Sequence, residues 1–212
     1  MNEDQLRLIL EEFVRDVTDL LKSLPKPETL PASIGPEQLT KRALLELIDH
    51  EGIVLEAYKD SKNIWTWGIG VTDASGHKVG RYKDAPQTVG RVVEVFKWLV
   101  EQRYLPAVLQ AFTEPLNEHQ LAAALSFHYN TGAIKRASWV KSFNKGDISR
   151  SRKEFMNWVS PKEVTARRLK ERDLFFDGRW SNDGLVRIYP VAKPSYKPVY
   201  AKGKTVDIRK DL

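Results

Sequence analysis

The 212-residue chain has no cysteine. A disulfide framework and a thiol nucleophile are therefore both excluded, and cysteine-free composition suits a reducing compartment. Histidines number only four and are scattered, with no ligand spacing, so neither a metal nor a cofactor is expected. No apolar run approaches the ~20 residues of a membrane span. Charges recur through the first 24 residues, which argues against a signal peptide. The reading that follows is a protein of the cytoplasm with no ordinary export address.

What the chain has in quantity is apolar residues, 42%, enough for a core of one domain with appendages, and positive charge. The net +6 is uneven: residues 179–212 hold eight basic residues against three acids, so +5 of it lies there. Such an excess favours anionic polymers without selecting one.

The most informative stretch is LLELIDHEGIVLEAYKDSKNIWTWGIGVT, Leu44 to Thr72. Leu44, Leu47 and Ile48 follow Leu39 at helical spacing, and Gly52 is suited to close that helix. Glu51 then lies in the last turn, facing the negative end of the helix dipole, which favours the protonated form a general acid needs. Asp60 to Asn63 reads as a turn, and Ile64 to Val71 as a strand. Alternation along that strand puts Trp65, Trp67, Ile69 and Val71 on one face, the tryptophans as core. Thr66, Gly68 and Gly70 share the other, a bare strip open to the approach of a ligand or another backbone.

Elsewhere, residues 2–24 show a heptad-like amphipathic stripe (Leu6, Leu10, Phe13, Val17, Leu20, Leu24), to be packed on its own domain or used in self-association. A proline-rich linker follows. Thr88 is placed to cap a helix bearing Val92, Val95, Phe96 and Leu99. Asn117 with Gln120 resembles a capping box opening a helix that Gly132 ends.

The spacing Glu51-x8-Asp60-x5-Thr66 resembles the catalytic signature of the phage-type lysozymes, the endolysins of tailed bacteriophages. ALSFHYNTGA, Ala124–Ala133, resembles that family's central helix. SWVKSFNKGD, EFMNWV and ARRLKERDLFFDG, ending at Gly178, resemble its later segments. The departures are Val71, where many members have histidine, and Val164-Thr165, where many have Gly-Leu.

The resemblance implies an α+β, mainly α fold, with a small antiparallel sheet beside the cleft and a helical lobe. It covers residues 36–178, the catalytic domain; on either side of it, periodicity and prolines mark 1–35 as an amino-terminal helix and linker, and charge with the repeated Lys-Pro and Tyr of KPSYKPVY marks 179–212 as a basic extension lying extended along a surface. It also implies a muramidase that cleaves the β-1,4 bond between N-acetylmuramic acid and N-acetylglucosamine in peptidoglycan and causes lysis. Glu51 would be the acid, and Asp60 an inverting base on water held with Thr66. Gly68, Gly70 and Asn130 would contact substrate, Asn130 having a helix cap as its rival role. Arg167 or Arg168 would hold Glu51.

A virion-borne, wall-binding component with little turnover is the alternative. Expected partners are peptidoglycan, the anionic envelope through the basic extension, and a holin-type pore for release; nucleic acid is not expected.

Overall fold

A computed structural model describes residues 39–212, which fall in one compact unit. The helix expected over residues 2–24 and the linker after it lie outside the described residues.

The local signals act where the sequence places them. Thr40 accepts a hydrogen bond from the Ala43 amide at 3.1 Å and starts α1, Lys41–Glu51. Ala43, Leu44, Leu47 and Ile48 are its buried stripe, and Gly52 ends it at φ +72°. Thr88 accepts from the Arg91 amide and opens α2, Val89–Leu99. A wide π turn over Val100–Tyr104 links it to α3, Leu105–Leu109, where Pro106 has no amide hydrogen to donate. The Asn117–Gln120 capping box opens α4, Glu118–Thr131, and Gly132 closes it at φ +64°.

Every residue of α4 from Leu121 to Phe127 is buried, so this helix is the axis of the helical lobe. Around it lie α1, α5 (Ser138–Asn144), α6 (Ile148–Phe155) and α7 (Thr165–Asp177). An aromatic cluster fills the space between them. Trp139, fully buried, has ring centroids of Phe155 at 4.5 Å, Phe175 at 5.0 Å and Phe127 at 5.3 Å. Among the described residues no helix is long and apolar enough to cross a membrane.

Beside this helical lobe, β1 (Val54–Lys59), β2 (Trp65–Gly68) and β3 (Val71–Thr72) form an antiparallel sheet in that order. The fold is thus α+β and mainly α. One expectation is corrected: the strand from Ile64 to Val71 is not continuous. Gly68 and Gly70 both take positive φ, +64° and +69°, and turn the chain through Ile69 into β3. Neither glycine faces a bare strip, because a Cβ on Gly68 would lie 3.0 Å from Val92 Cγ1 and one on Gly70 2.7 Å from the Tyr129 hydroxyl. Close approach is what both positions require, but the approaching groups are the protein's own. Trp67 is core, with no exposure, whereas Trp65 is half-buried against Tyr196.

The segment after Gly178 is also more than an extended surface strap. β4 (Leu185–Ile188) pairs with β7 (Lys204–Asp207), and β5 (Val191–Ala192) with β6 (Lys197–Pro198), both antiparallel. Val186 and Ile208 enter the core at 1% and 0% exposure. The Ile53 amide donates to Arg187 O at 2.9 Å and Tyr189 N–H returns to Ile53 O at 2.8 Å, which joins this segment to β1. Glu46, buried on α1, accepts from the Ser181 amide, the Ser181 hydroxyl and the Asn182 amide. A carboxylate at a core position would be destabilising alone; here three donors of the last segment satisfy it.

Candidate active site

Glu51 is the last residue of α1, its side chain 24% exposed. Its Oε1 accepts from Arg167 Nη1 at 2.5 Å. Arg167 is in turn held on α7 by three more bonds: Nε to Glu171 Oε1 at 2.8 Å, and Nη2 to the carbonyl and hydroxyl oxygens of Ser126 at 3.1 and 3.2 Å. Of the two arginines it is therefore Arg167 that reaches Glu51. Arg168, fully buried over the Phe127 ring, donates from Nε to Trp158 O at 3.0 Å and from Nη2 to Asn130 Oδ1 at 2.7 Å. Its Nη1 bonds Glu171 Oε2.

Glu171 is the residue that the sequence reading missed. Its side chain has no exposure, yet it takes both arginines and the Ser126 hydroxyl, the last at 2.5 Å. A buried carboxylate whose two oxygens take three donors, two of them guanidinium groups, is a rigid anchor rather than a reactive group. The signal was present, since Glu171 stands at i+4 and i+3 from the arginines on one helix, but its partner Ser126 lies 45 residues away.

Asp60 sits in the turn between β1 and β2. Its Oδ1 accepts the amides of Lys62 at 2.9 Å and Ile64 at 2.8 Å, which fixes the carboxylate in its own turn. Oδ2 accepts from no described residue. Ile64 joins the site together: its carbonyl accepts the Asp60 amide at 3.0 Å and the Thr66 hydroxyl at 3.1 Å. Thr66 is 3% exposed and pairs in register with Tyr58 on β1. Because its hydroxyl proton is spent on Ile64 O, the Thr66 oxygen can only accept from a further group.

Burial pushes the Tyr58 phenol well above its ordinary pKa, and Tyr200, Glu51 and Asp60 add to the rise. One half-buried side chain of β1 thus lies within electrostatic reach of both carboxylates. Tyr129 is raised by burial and next by Glu51, and its hydroxyl donates to Ile69 O at 2.5 Å, tying α4 to the glycine turn. His50, beside Glu51, is lowered to about 3 by burial and then by Arg167, Lys170 and Arg168, so its ring is neutral. Its Nε2 is 3.9 Å from Glu46 Oε1, too far for a hydrogen bond, and the burial and the cations prevail.

The remaining expected residues are less alike. Asn130 does not cap α4, which continues to Thr131; it is exposed, with its oxygen turned to Arg168. Gly70 is exposed and Gly68 is buried against Val92. Among the described residues no group of three or more histidine or acidic side chains is placed to hold a metal ion.

Taken together, the turn, the helix end and the arginine brace present one carboxyl with an oxygen tied to a cation, one carboxylate with a free oxygen, and a hydroxyl ready to accept. The model of the phage lysozyme family matches residues 48–173, more than half of the chain and all of these groups. The endolysin of Salmonella phage P22 is 26% identical over 147 residues, 65% of this chain and 97% of that protein. The structure of the endolysin from Escherichia coli O157:H7 phage FAHEc1 superposes with a TM-score of 0.62 at 25% identity, covering 68% of this chain and 97% of that one. A single-residue variant of the P22 lysozyme gives 0.58 at 26% identity, covering 66% and 99%. The chain belongs to the phage lysozyme family and is an enzyme of the peptidoglycan-cleaving, muramidase kind.

Proposed function

We propose that the chain hydrolyses the β-1,4 bond between N-acetylmuramic acid and N-acetylglucosamine with inversion, Glu51 acting as acid and Asp60 as base. The observation that carries this reading is the unlike environment of the two carboxyl groups. Glu51 Oε1 is taken by Arg167, so Oε2 is the oxygen that carries the proton to the leaving glycosidic oxygen. Asp60 Oδ1 is taken by two amides, so Oδ2 is the oxygen that receives a proton from water. A water that donates one hydrogen to Oδ2 and the other to Thr66 Oγ1 keeps a lone pair directed at the anomeric carbon. Bond formation from that water, departure of the leaving oxygen with the Glu51 proton, and loss of a water proton to Asp60 balance the reaction without a covalent intermediate.

Asp60 fixed by its own turn is better suited to steer water than to attack, since a nucleophile must reach the sugar itself. Proton NMR of freshly cleaved glycan tests this directly. The α-anomer should appear first and then mutarotate; the β-anomer appearing first would replace inversion by a double displacement.

A further inference from the structure

The hairpin formed by β5 and β6 lies beyond the matched family region, residues 48–173, yet it closes on the turn that carries Asp60. The Lys59 amide donates to Tyr196 O at 2.7 Å, and Lys197 Nζ donates to the Asp60 carbonyl at 2.6 Å. On the other side of the turn the Tyr196 ring meets Trp65 edge-on, centroids 5.2 Å apart. The hairpin is itself pinned to the sheet side. Tyr196 Oη donates to Asp84 Oδ2 at 2.8 Å, and Lys193 Nζ bridges Glu56 at 2.7 Å and Asp84 at 2.5 Å. Lys193 also lies 4.1 Å from the Tyr196 ring centroid. Residues 59, 60 and 65 are therefore each gripped by Tyr196 or Lys197, across the two strand ends that define the turn.

We propose that this hairpin is a positioning element for the Asp60 carboxylate, with Lys197 as the residue through which it acts. The proposal rests on the reading of Asp60 as the base. The carboxylate is aimed by two amides of its own turn, and those amides point correctly only while the peptide after Asp60 keeps its orientation. That peptide's carbonyl accepts from the Asn63 amide at 3.0 Å and from the Lys197 ammonium, a charge-assisted bond, so removing the ammonium leaves the peptide's orientation to the weaker, neutral bond alone. Lys197 is exposed, and an exposed bond of this kind contributes little to global stability. Its loss is felt in alignment, and small misplacements of a reacting group are expensive in rate.

The test compares Lys197→Met, Lys197→Arg and Lys202→Met in the full chain, Lys202 being a lysine of the same segment with no ion pair among the described residues. With soluble glycan fragments as substrate, Lys197→Met should lower kcat about ten- to a hundredfold with KM almost unchanged and thermal unfolding unmoved. Lys197→Arg should recover most of the rate, and Lys202→Met should behave as the parent. A normal kcat in Lys197→Met, while Asp60→Asn is inactive, overturns the proposal. So does an equal fall in Lys202→Met, which would mean that net charge matters and position does not. Should Asp60→Asn itself remain active, the reading of Asp60 as base fails, an outcome distinct from failure of the clamp.

Discussion

Replacing Glu171 by alanine tests how the arginine brace is built. In the folded chain this carboxylate has no exposure and balances Arg168, also fully buried, and Arg167, whose side chain is 12% exposed. Its removal leaves two guanidinium groups side by side with only Glu51 as an acidic partner and strips the Ser126 hydroxyl of its acceptor. Breaking a buried pair by removing one member typically destabilises by about 3–5 kcal/mol, because the partner charge stays buried. For a protein of this size that corresponds to a melting temperature lower by roughly 6–20 °C. Urea unfolding followed by tryptophan fluorescence reads the change through the midpoint at constant slope. Adding Arg168→Met to Glu171→Leu should restore part of the loss, since an apolar pair of similar volume needs no compensation. A loss below about 1 kcal/mol for Glu171→Ala would refute the account of Glu171 as the anchor of both arginines.

Two further outcomes follow from burial. Ile208→Ala, near the carboxyl terminus, should destabilise by about 2–5 kcal/mol in the same urea assay, as any core deletion does; a change within 0.5 kcal/mol, the range of ordinary surface substitutions, would show that the last segment is not part of the core. His50 has a folded pKa of about 3 against 6.5 for an ordinary histidine, so between those values the unfolded chain binds the extra proton and stability is lost as the pH is lowered from 6.5 toward 3. Each pH unit in that window removes up to about 1.4 kcal/mol, and His50→Leu should flatten this part of the stability profile, whereas parallel profiles for parent and variant would contradict it.

Much of the site was legible because its signals are local. The stripe Leu44, Leu47, Ile48 and the closing Gly52 set Glu51 at a helix end, and Thr88 and Asn117 marked starts through bonds that span three residues. The glycine turn was misread for a physical reason. Gly68 and Gly70 fit a period of two as well as they fit two left-handed residues, and only Val92 and Tyr129, brought from α2 and α4, decide between them.

Charge masked a second signal. Val186 with Ile188, and Val206 with Ile208, alternate as strands do, yet the eight basic residues around them drew attention to the surface. Glu171, Ser181 with Glu46, and Lys197 with Asp60 act across 45, 135 and 137 residues, distances at which no pattern in one sequence announces a partner.

The most direct measurement is the chemical identity of the end that the enzyme creates. Purified peptidoglycan digested with the parent chain should yield new reducing ends on N-acetylmuramic acid by mass spectrometry after borohydride reduction. Glu51→Gln, folded as the parent, should yield them ~10²–10⁴-fold more slowly, the usual contribution of general acid–base catalysis. New reducing ends on N-acetylglucosamine, or release by Glu51→Gln at the parental rate, would contradict the assignment of bond or of acid.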